Sequence, residues 1–275
     1  MQIGVFAKTF AGSDPALVLA AARAAGYRSV QYNMACSGLP SMPDTITREI
    51  AAEVVNASRN SGVKIAAVSG TYNMIHPDLA QRALGQTRLA VLIKAASALG
   101  TPMVTLCTGT RDPHDQWSGH PDNTSPQAWR ELLTEMAQAA DLAERHNVRL
   151  GIEPELANVV DSATRARQLI DEIASPSLAI VLDPANLFEI ATPDQQRALV
   201  EQAVDLLGDR IVMAHAKDRD AQGGFATAGQ GVVDFAHFIR TLRRAGFDDD
   251  LVTHGLTQAE APAVAAFLAQ LLAQT

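Results

Sequence analysis

The chain repeats one pattern along its whole length, a short apolar run followed by a helical pattern, and it does so eight times in 275 residues. The apolar runs end near Ala7, Tyr32, Ser69, Cys107, Glu153, Asp183, His215 and His254. Five of the helical patterns are closed by a glycine, namely Gly26, Gly62, Gly100, Gly208 and Gly246. Glycine favours the left-handed conformation that ends a helix, so each of these positions marks a boundary between units.

Eight consecutive β-then-α units without a break in composition predict an α/β protein. The favoured architecture is a (β/α)8 (TIM) barrel that residues 1–275 form as a single domain. A doubly wound open sheet is the rival, and the count of eight favours the barrel. In such a barrel the functional site lies where the carboxyl ends of the strands meet.

Composition excludes some partners. The formal charge is −8 and the calculated pI is about 5.3, which disfavours a nucleic-acid partner because phosphate backbones are met by basic surfaces. The chain shows no targeting segment and no run of about 20 apolar residues, so we expect a cytoplasmic protein without a membrane partner. The two cysteines, Cys36 and Cys107, lie far apart in the sequence and form no CxxC pattern. This indicates a reducing compartment. The sequence leaves the oligomeric state open, with a homo-oligomer as one alternative.

Four consecutive strands each end in a residue that binds metals. Glu153, Asp183, His215 and His254 close the apolar runs of strands five to eight. Carboxylate and imidazole together suit one divalent ion, which the sequence leaves open as Mn, Mg, Co, Fe or Zn. We therefore predict a metal site at the mouth of the barrel.

Further polar residues follow the strand ends. Lys217 shares a strand face with His215 and is suited to neutralise an oxyanion or to bind a phosphate; the alternative is a surface lysine paired with Asp218 or Asp220. Glu155 either turns back into the mouth or faces solvent. Asn73 and His76 follow the third strand, where they are candidates for binding sugar hydroxyls. For His76, which precedes a Pro-Asp helix start, a capping or loop role is the alternative.

The segment from 108 to 126 is a long polar loop at the functional end of the barrel, where such loops commonly bind ligands. Arg111, His114, Trp117 and His120 would make it a lid that stacks on a sugar and binds its hydroxyls or a phosphate. The alternative is a loop that packs on the barrel or joins an oligomer interface.

The motifs "IEPE", "LDPAN", "HAKDRD" and "GQGVVDF" resemble the xylose isomerase-like barrels, the sugar-phosphate isomerase and epimerase group. The resemblance covers nearly the whole chain. It implies one metal held by Glu, Asp, His and Glu from strands five to eight, and Glu153, Asp183 and His215 match the first three. This chain departs from the pattern at His254, where Glu is usual, and at Asn186, where a substrate-contacting His is common.

The resemblance implies a metal-dependent isomerase or epimerase of a sugar, ketose, inositol derivative or sugar phosphate, acting through an enediolate. Glu153, Glu155 and Lys217 are the candidate catalytic residues, and Asn186 is a candidate for substrate binding. Epimerases of this type use two glutamates on opposite faces of the substrate. Because His254 replaces the second, the alternative is a lyase or hydrolase of an oxidised (3-keto) sugar or glycoside, which needs one base.

Two other functions are disfavoured. Abasic-site DNA cleavage, also found in this group, would need a three-zinc site and a basic surface, yet Gln31 ends strand two where a further ligand would be required. A carbohydrate-binding protein without activity is the last alternative. The expected partner in every favoured case is a small carbohydrate.

Overall fold

The computed structural model describes residues 1–275 and contains a closed barrel of eight parallel strands. The barrel strands are β1 (Gln2–Phe6), β2 (Ser29–Tyr32), β3 (Lys64–Ser69), β4 (Met103–Leu106), β5 (Arg149–Ile152), β6 (Leu178–Leu182), β7 (Ile211–Ala216) and β10 (Asp250–Thr253). They close in the order β1-β10-β7-β6-β5-β4-β3-β2. The predicted barrel is therefore confirmed, and the open sheet is excluded.

Eight helices surround the barrel. They are α1 (Pro15–Ala24), α2 (Arg48–Ser61), α3 (Leu79–Ala95), α4 (Pro126–Arg145), α5 (Ala163–Ile173), α6 (Pro193–Leu207), α7 (Phe235–Arg244) and α8 (Ala261–Gln274). All except α8 begin after an Asp, Ser or Thr whose side chain accepts a hydrogen bond from a first-turn N–H. Such caps define where each helix begins. None of these helices combines the length and the apolar character needed to cross a membrane.

The predicted glycine boundaries differ in conformation. Gly26, Gly62, Gly100 and Gly246 have positive φ, as expected for residues that end a helix. The left-handed conformation predicted for Gly208 is wrong, because its φ is −55°. Glycine is required there by packing, since a Cβ would lie 2.8 Å from the carbonyl oxygen of Val204.

The apolar core has two parts. A large cluster of 64 buried residues fills the space between the barrel and its helices. A smaller cluster of six, Ala66, Ala67, Met103, Val181, Met213 and Val252, packs separately from it. Met213 and Val252 each stand two residues before a histidine of the predicted metal site, so the small cluster lies directly beneath that site.

A two-stranded hairpin that the sequence pattern did not predict follows β7. Its strands are β8 (Asp218–Arg219) and β9 (Phe225–Ala226), and they pair antiparallel. Strands of two residues are too short to show an alternation of apolar and polar side chains. The buried carboxylate of Asp218 anchors the chain that follows, since it accepts hydrogen bonds of 3.0 Å from the N–H groups of Gly229 and Gly231.

Candidate metal centre and active-site cavity

The four predicted metal ligands converge at the carboxyl ends of their strands. Ligand atoms of Glu153, Asp183, His215 and His254 all lie within 4.8 Å of one another. Asp183 and His215 are 1% and 2% exposed. The two others are partly buried. Neighbouring parallel strands bring the four together although they span 102 positions of the chain, from 153 to 254.

Hydrogen bonds join the four side chains in two pairs, and a longer ion-pair contact connects the pairs. Asp183 Oδ2 lies 3.1 Å from Nε2 of His254 and 3.9 Å from Nδ1 of His215. Glu153 Oε1 lies 3.1 Å from the same Nδ1 atom. The centroids of the two imidazole rings are 4.6 Å apart. Each carboxylate thus faces at least one imidazole nitrogen.

Burial and mutual attraction shift the protonation of this cluster. Burial alone would raise the pKa of Glu153 and lower that of His215, but the attraction between the two outweighs it and shifts both pKa values in the opposite directions. The pKa of Asp183 is likewise held well below its usual range, chiefly by Lys217 and His254 despite burial. Burial and the neighbouring His215 lower the pKa of His254. Glu153, Asp183 and His215 therefore stabilise one another's charged forms.

The donor set fits a divalent metal. Two carboxylates and two imidazoles are ordinary ligands of Zn²⁺, Mn²⁺, Fe²⁺ and Co²⁺, which they bind at about 2.0–2.2 Å. Ligand atoms within 4.8 Å of one another need only small side-chain movements to meet one such ion. The set thus has the chemistry and the proximity of a metal centre.

Gln31 orients His215 by a hydrogen bond to the ring nitrogen that faces away from the carboxylates. Its Oε1 atom accepts a hydrogen bond of 2.8 Å from Nε2 of His215, and its Nε2 atom donates to Thr105 Oγ1 at 3.0 Å. These contacts place a proton on Nε2 of His215 and direct Nδ1 towards the carboxylates. Metal-binding histidines commonly have such a partner on the outer nitrogen. From the sequence, Gln31 is recognised only as a missing ligand, and its place at the end of β2 is the one signal for its role.

Lys217 and Asn186 form a second layer beside the cluster. Lys217 Nζ donates to Asn186 Oδ1 at 3.1 Å and lies 3.7 Å from Asp183 Oδ2. Asn186 Nδ2 in turn donates to Glu153 Oε1 at 2.9 Å. Asn186 is 1% exposed and both polar atoms of its amide are occupied. Its predicted contact with a substrate stays a prediction, while its contact with Glu153 is a feature of this structure.

The cluster borders a cavity of about 530 Å³ at the mouth of the barrel. Three further charged residues on its wall are Glu155, Lys217 and Lys8, and Phe6, Trp117 and Phe225 also line it. Glu155 is 8% exposed, so its side chain is turned inward rather than to bulk solvent. Burial raises its pKa, opposed in part by Lys217. A carboxyl group that faces the cavity is therefore available for proton transfer.

Three of the predicted substrate-binding residues line a different cavity. Asn73, His76 and His114 border a separate space of about 330 Å³. Asn73 Oδ1 accepts a hydrogen bond of 3.0 Å from the N–H of Thr110, and His76 Nε2 is 3.2 Å from the carbonyl oxygen of Pro113. In this structure they support the loop, and their role towards a substrate stays a prediction.

The loop from 108 to 126 presents one of its four predicted lid residues to the main cavity, namely Trp117. Arg111 is bound to the Glu131 carboxylate of α4 at 2.8 Å, with 12% of its side chain exposed. His120 accepts a hydrogen bond from the N–H of Asp122 and begins a short 3-10 helix. The Arg111 contact ties the loop to α4.

Phe225 is a cavity residue that the sequence analysis missed. Its side chain on β9 is 55% exposed, and it lines the main cavity. The Nζ atom of Lys217 lies 3.7 Å from the ring centroid. The sequence offered one signal for this role. Phe225 is an apolar residue directly after Gly223-Gly224, and that glycine pair follows a charged run.

Comparisons with known proteins agree with this architecture. The family model described as xylose isomerase-like TIM barrel matches residues 19–270. A search of curated proteins found no significant match. The solved structure of 3-keto-D-glucoside 4-epimerase from E. coli has a TM-score of 0.77 at 17% identity and covers 99% of each chain.

Two further solved structures share the fold. L-ribulose 3-epimerase has a TM-score of 0.76 at 19% identity, covering 99% of this chain and 95% of its own. The IOLI protein with a bound zinc atom has a TM-score of 0.74 at 16% identity, covering 100% and 99%. Because the family model spans most of the sequence and the barrel matches these structures from end to end, the chain belongs to the xylose isomerase-like TIM barrel family.

Proposed function

We propose that the chain is a divalent-metal-dependent isomerase or epimerase of a sugar, a ketose, an inositol derivative or a sugar phosphate. The observation that carries this proposal is the convergence of Glu153, Asp183, His215 and His254 beside a cavity at the mouth of the barrel. The family and the epimerases among the solved structures support the same class of reaction. The reaction would move a proton at the carbon next to a carbonyl group.

A divalent ion bound by the four ligands would supply the polarisation of that carbonyl and stabilise the negative charge of the enediolate. Glu155 faces the cavity, and its raised pKa brings it closer to neutral pH, which suits a group that exchanges a proton. Glu153 is the other candidate base, although His215 and Asn186 already engage its Oε1 atom. We assign proton transfer to these two carboxyl groups.

Lys217 is the candidate for stabilising a substrate oxygen. Lys217 is 7% exposed and lines the cavity, and its ammonium is oriented by Asn186. A fixed ammonium beside the developing charge stabilises an oxyanion without further reorganisation. Lys217 would donate a hydrogen bond to the oxygen that gains charge as the proton leaves.

One observation favours a second candidate function. His254 Nε2 is hydrogen-bonded to Asp183, so this wall of the site offers an imidazole where a carboxylate base would be needed. An imidazole bound to a metal is a poor proton acceptor. A lyase or hydrolase of an oxidised (3-keto) sugar or glycoside needs one base only, because elimination follows enolisation.

Proton NMR in D₂O tests both candidates. Zn²⁺- or Mg²⁺-loaded protein would be incubated with ketoses, an oxidised inositol, ketose phosphates and 3-keto glucosides. We expect exchange of the proton next to the carbonyl, followed by a new epimer or isomer; release of an aglycone would identify the lyase or hydrolase instead. Asp183→Asn and Glu155→Gln should abolish exchange. Absence of exchange on all compounds, or exchange unchanged in Asp183→Asn, contradicts the proposal.

A further inference from the structure

Two exposed aromatic side chains stand at the cavity, in addition to the polar groups near the metal cluster. Trp117 is 52% exposed and Phe225 is 55% exposed, and both line the same cavity. We call this pair the aromatic rim. Large aromatic side chains left in water forgo the free energy of burial, and when they border a cavity they mark a surface that binds a ligand. Trp117 belongs to the loop from 108 to 126 and Phe225 to the hairpin, so the rim joins two separate segments.

The ring of Phe225 is held in place. It is the cross-strand partner of Arg219 in the hairpin, and the Arg219 guanidinium carbon lies 4.3 Å from the ring centroid. Arg219 is itself buried and donates hydrogen bonds to the carbonyl oxygens of Ala185 and Gly223. Lys217 and Arg219 thus hold the ring by cation–π contacts, while the 55% exposure of Phe225 leaves ring surface open to a ligand. A pre-positioned ring loses little entropy when a ligand stacks on it.

Phe225, one of the two rim residues, lies close to the metal cluster. Lys217 Nζ is 3.7 Å from the ring of Phe225 and also 3.7 Å from Asp183 Oδ2, so one ammonium separates the ring from the metal cluster. The cavity volume of about 530 Å³ falls in the range that accommodates drug-sized ligands. A sugar bound at the cluster would leave space beside the rim.

The charges around the cavity do not favour a phosphate at the rim. Phosphates are commonly bound by arginine forks or by helix N-termini. Arg111 is engaged by Glu131, and Arg219 by two carbonyl oxygens. Of the two lysines that line the cavity, Lys217 is assigned to an oxygen of the reacting sugar, which leaves Lys8.

We propose that the substrate carries a second ring beyond the reacting sugar and that this ring stacks on Phe225 and Trp117. The substrate class is then a glycoside, with either an aromatic aglycone or a second sugar whose apolar face meets the rim. The inference rests on the proposed function for the chemistry of the reacting sugar. Stacking at the rim requires no turnover, so it is measured separately.

Calorimetry on the Zn²⁺-loaded protein tests the rim with four probes: methyl β-glucoside, phenyl β-glucoside, cellobiose and glucose phosphate. We expect phenyl β-glucoside or cellobiose to bind at least about tenfold more tightly than methyl β-glucoside, in the range of stacking on an aromatic side chain. The phenyl and cellobiose arms distinguish an aromatic aglycone from a second sugar. Phe225→Ala and Trp117→Ala, made separately, should each remove most of the preference.

Matched controls separate stacking from general effects. Leu79→Ala removes an apolar side chain that is 70% exposed but does not line the cavity, and it should keep the preference. The protein has two tryptophans, and Trp129 is buried on α4, so a fluorescence change on adding phenyl β-glucoside should disappear in Trp117→Phe.

Several results would overturn the inference. One is equal affinity for methyl and phenyl β-glucoside, including no binding by either. A second is a preference for phenyl β-glucoside or cellobiose that persists in both Phe225→Ala and Trp117→Ala. A third is that glucose phosphate binds most tightly of the four probes and that this binding is lost in Lys8→Met. A preference that depends on the rim without any proton exchange in D₂O would support the rim and contradict the proposed function.

Discussion

The Nε2 atom of His254 lies 3.1 Å from the Oδ2 atom of Asp183, where β10 and β6 end on either side of β7. The fourth residue of the cluster is therefore an imidazole, and two of the other three are carboxylates. A third carboxylate at that corner would repel the other two unless a cation bound between them. The histidine thus lowers the negative charge of the site in the absence of metal.

Asp183→Asn should remove the bound metal. Asp183 is the carboxylate that contacts both imidazoles, and the amide replaces a charged ligand by a neutral one while it can still accept from the N–H of Ala185. We expect the affinity for Zn²⁺ or Mn²⁺ to fall by more than the roughly 10–100-fold typical of an outer-shell change. Calorimetric titration with Zn²⁺ or Mn²⁺ measures this affinity. Asp209→Asn, an exposed residue paired with Arg167, should bind one equivalent as the wild type does.

Gln31→Met should weaken metal binding without unfolding the protein. The thioether has nearly the same length but cannot accept the hydrogen bond from Nε2 of His215, so the ring loses its preferred orientation. The expected decrease in affinity is about 10–100-fold. Gln31→Glu restores an acceptor and should recover part of the loss. Wild-type affinity in Gln31→Met would show that the hydrogen bond does not position His215.

His254→Glu tests whether the protein lacks a second base. The variant places a third carboxylate beside Asp183, so the melting temperature without metal should fall and added Zn²⁺ should restore it. If the native reaction uses one base, the variant should keep metal but gain no turnover. Differential scanning fluorimetry and the D₂O exchange rate measure the two effects. A large increase in epimerisation of a simple ketose would instead identify the wild type as an epimerase that lacks its second base.

Glu131→Gln should reduce stability in a manner that depends on pH. Burial alone would raise the pKa of Glu131, but contacts with Arg111 and Arg82 lower it to about 2. Because the folded pKa lies below the ordinary value of 4.5, this stabilisation is present above pH 4.5 and is lost as the pH falls through about 2. We expect a decrease of about 1 kcal/mol in the free energy of unfolding at neutral pH, since the pair is partly solvated.

Urea denaturation at several pH values checks this result. The difference between wild type and Glu131→Gln should shrink as the pH approaches 2. Asp194→Asn, whose side chain is 98% exposed, serves as the control and should give parallel curves. A difference that is constant with pH would mean that Glu131 acts through packing rather than through its charge.

The sequence alone determined the barrel and brought the four residues of the candidate metal site together at its mouth. Each predicted strand end lies within one residue of the observed one, from Phe6 on β1 to Thr253 on β10. Helix caps and apolar runs are local signals, and the carboxyl ends of parallel strands must meet at one mouth. For the same reason Glu153 and His254 could be placed in one cluster without a structure.

Only the tertiary structure decided which side chains support that cluster. Gln31 reaches His215, and Asn186 joins Glu153 to Lys217, through contacts between residues far apart in the chain. The sequence carries no local signal for such contacts, because they depend on the direction of each side chain once the strands are packed. The hairpin that places Phe225 at the cavity has the same origin: its strands of two residues are defined by pairing and by the Asp218 anchor, not by periodicity.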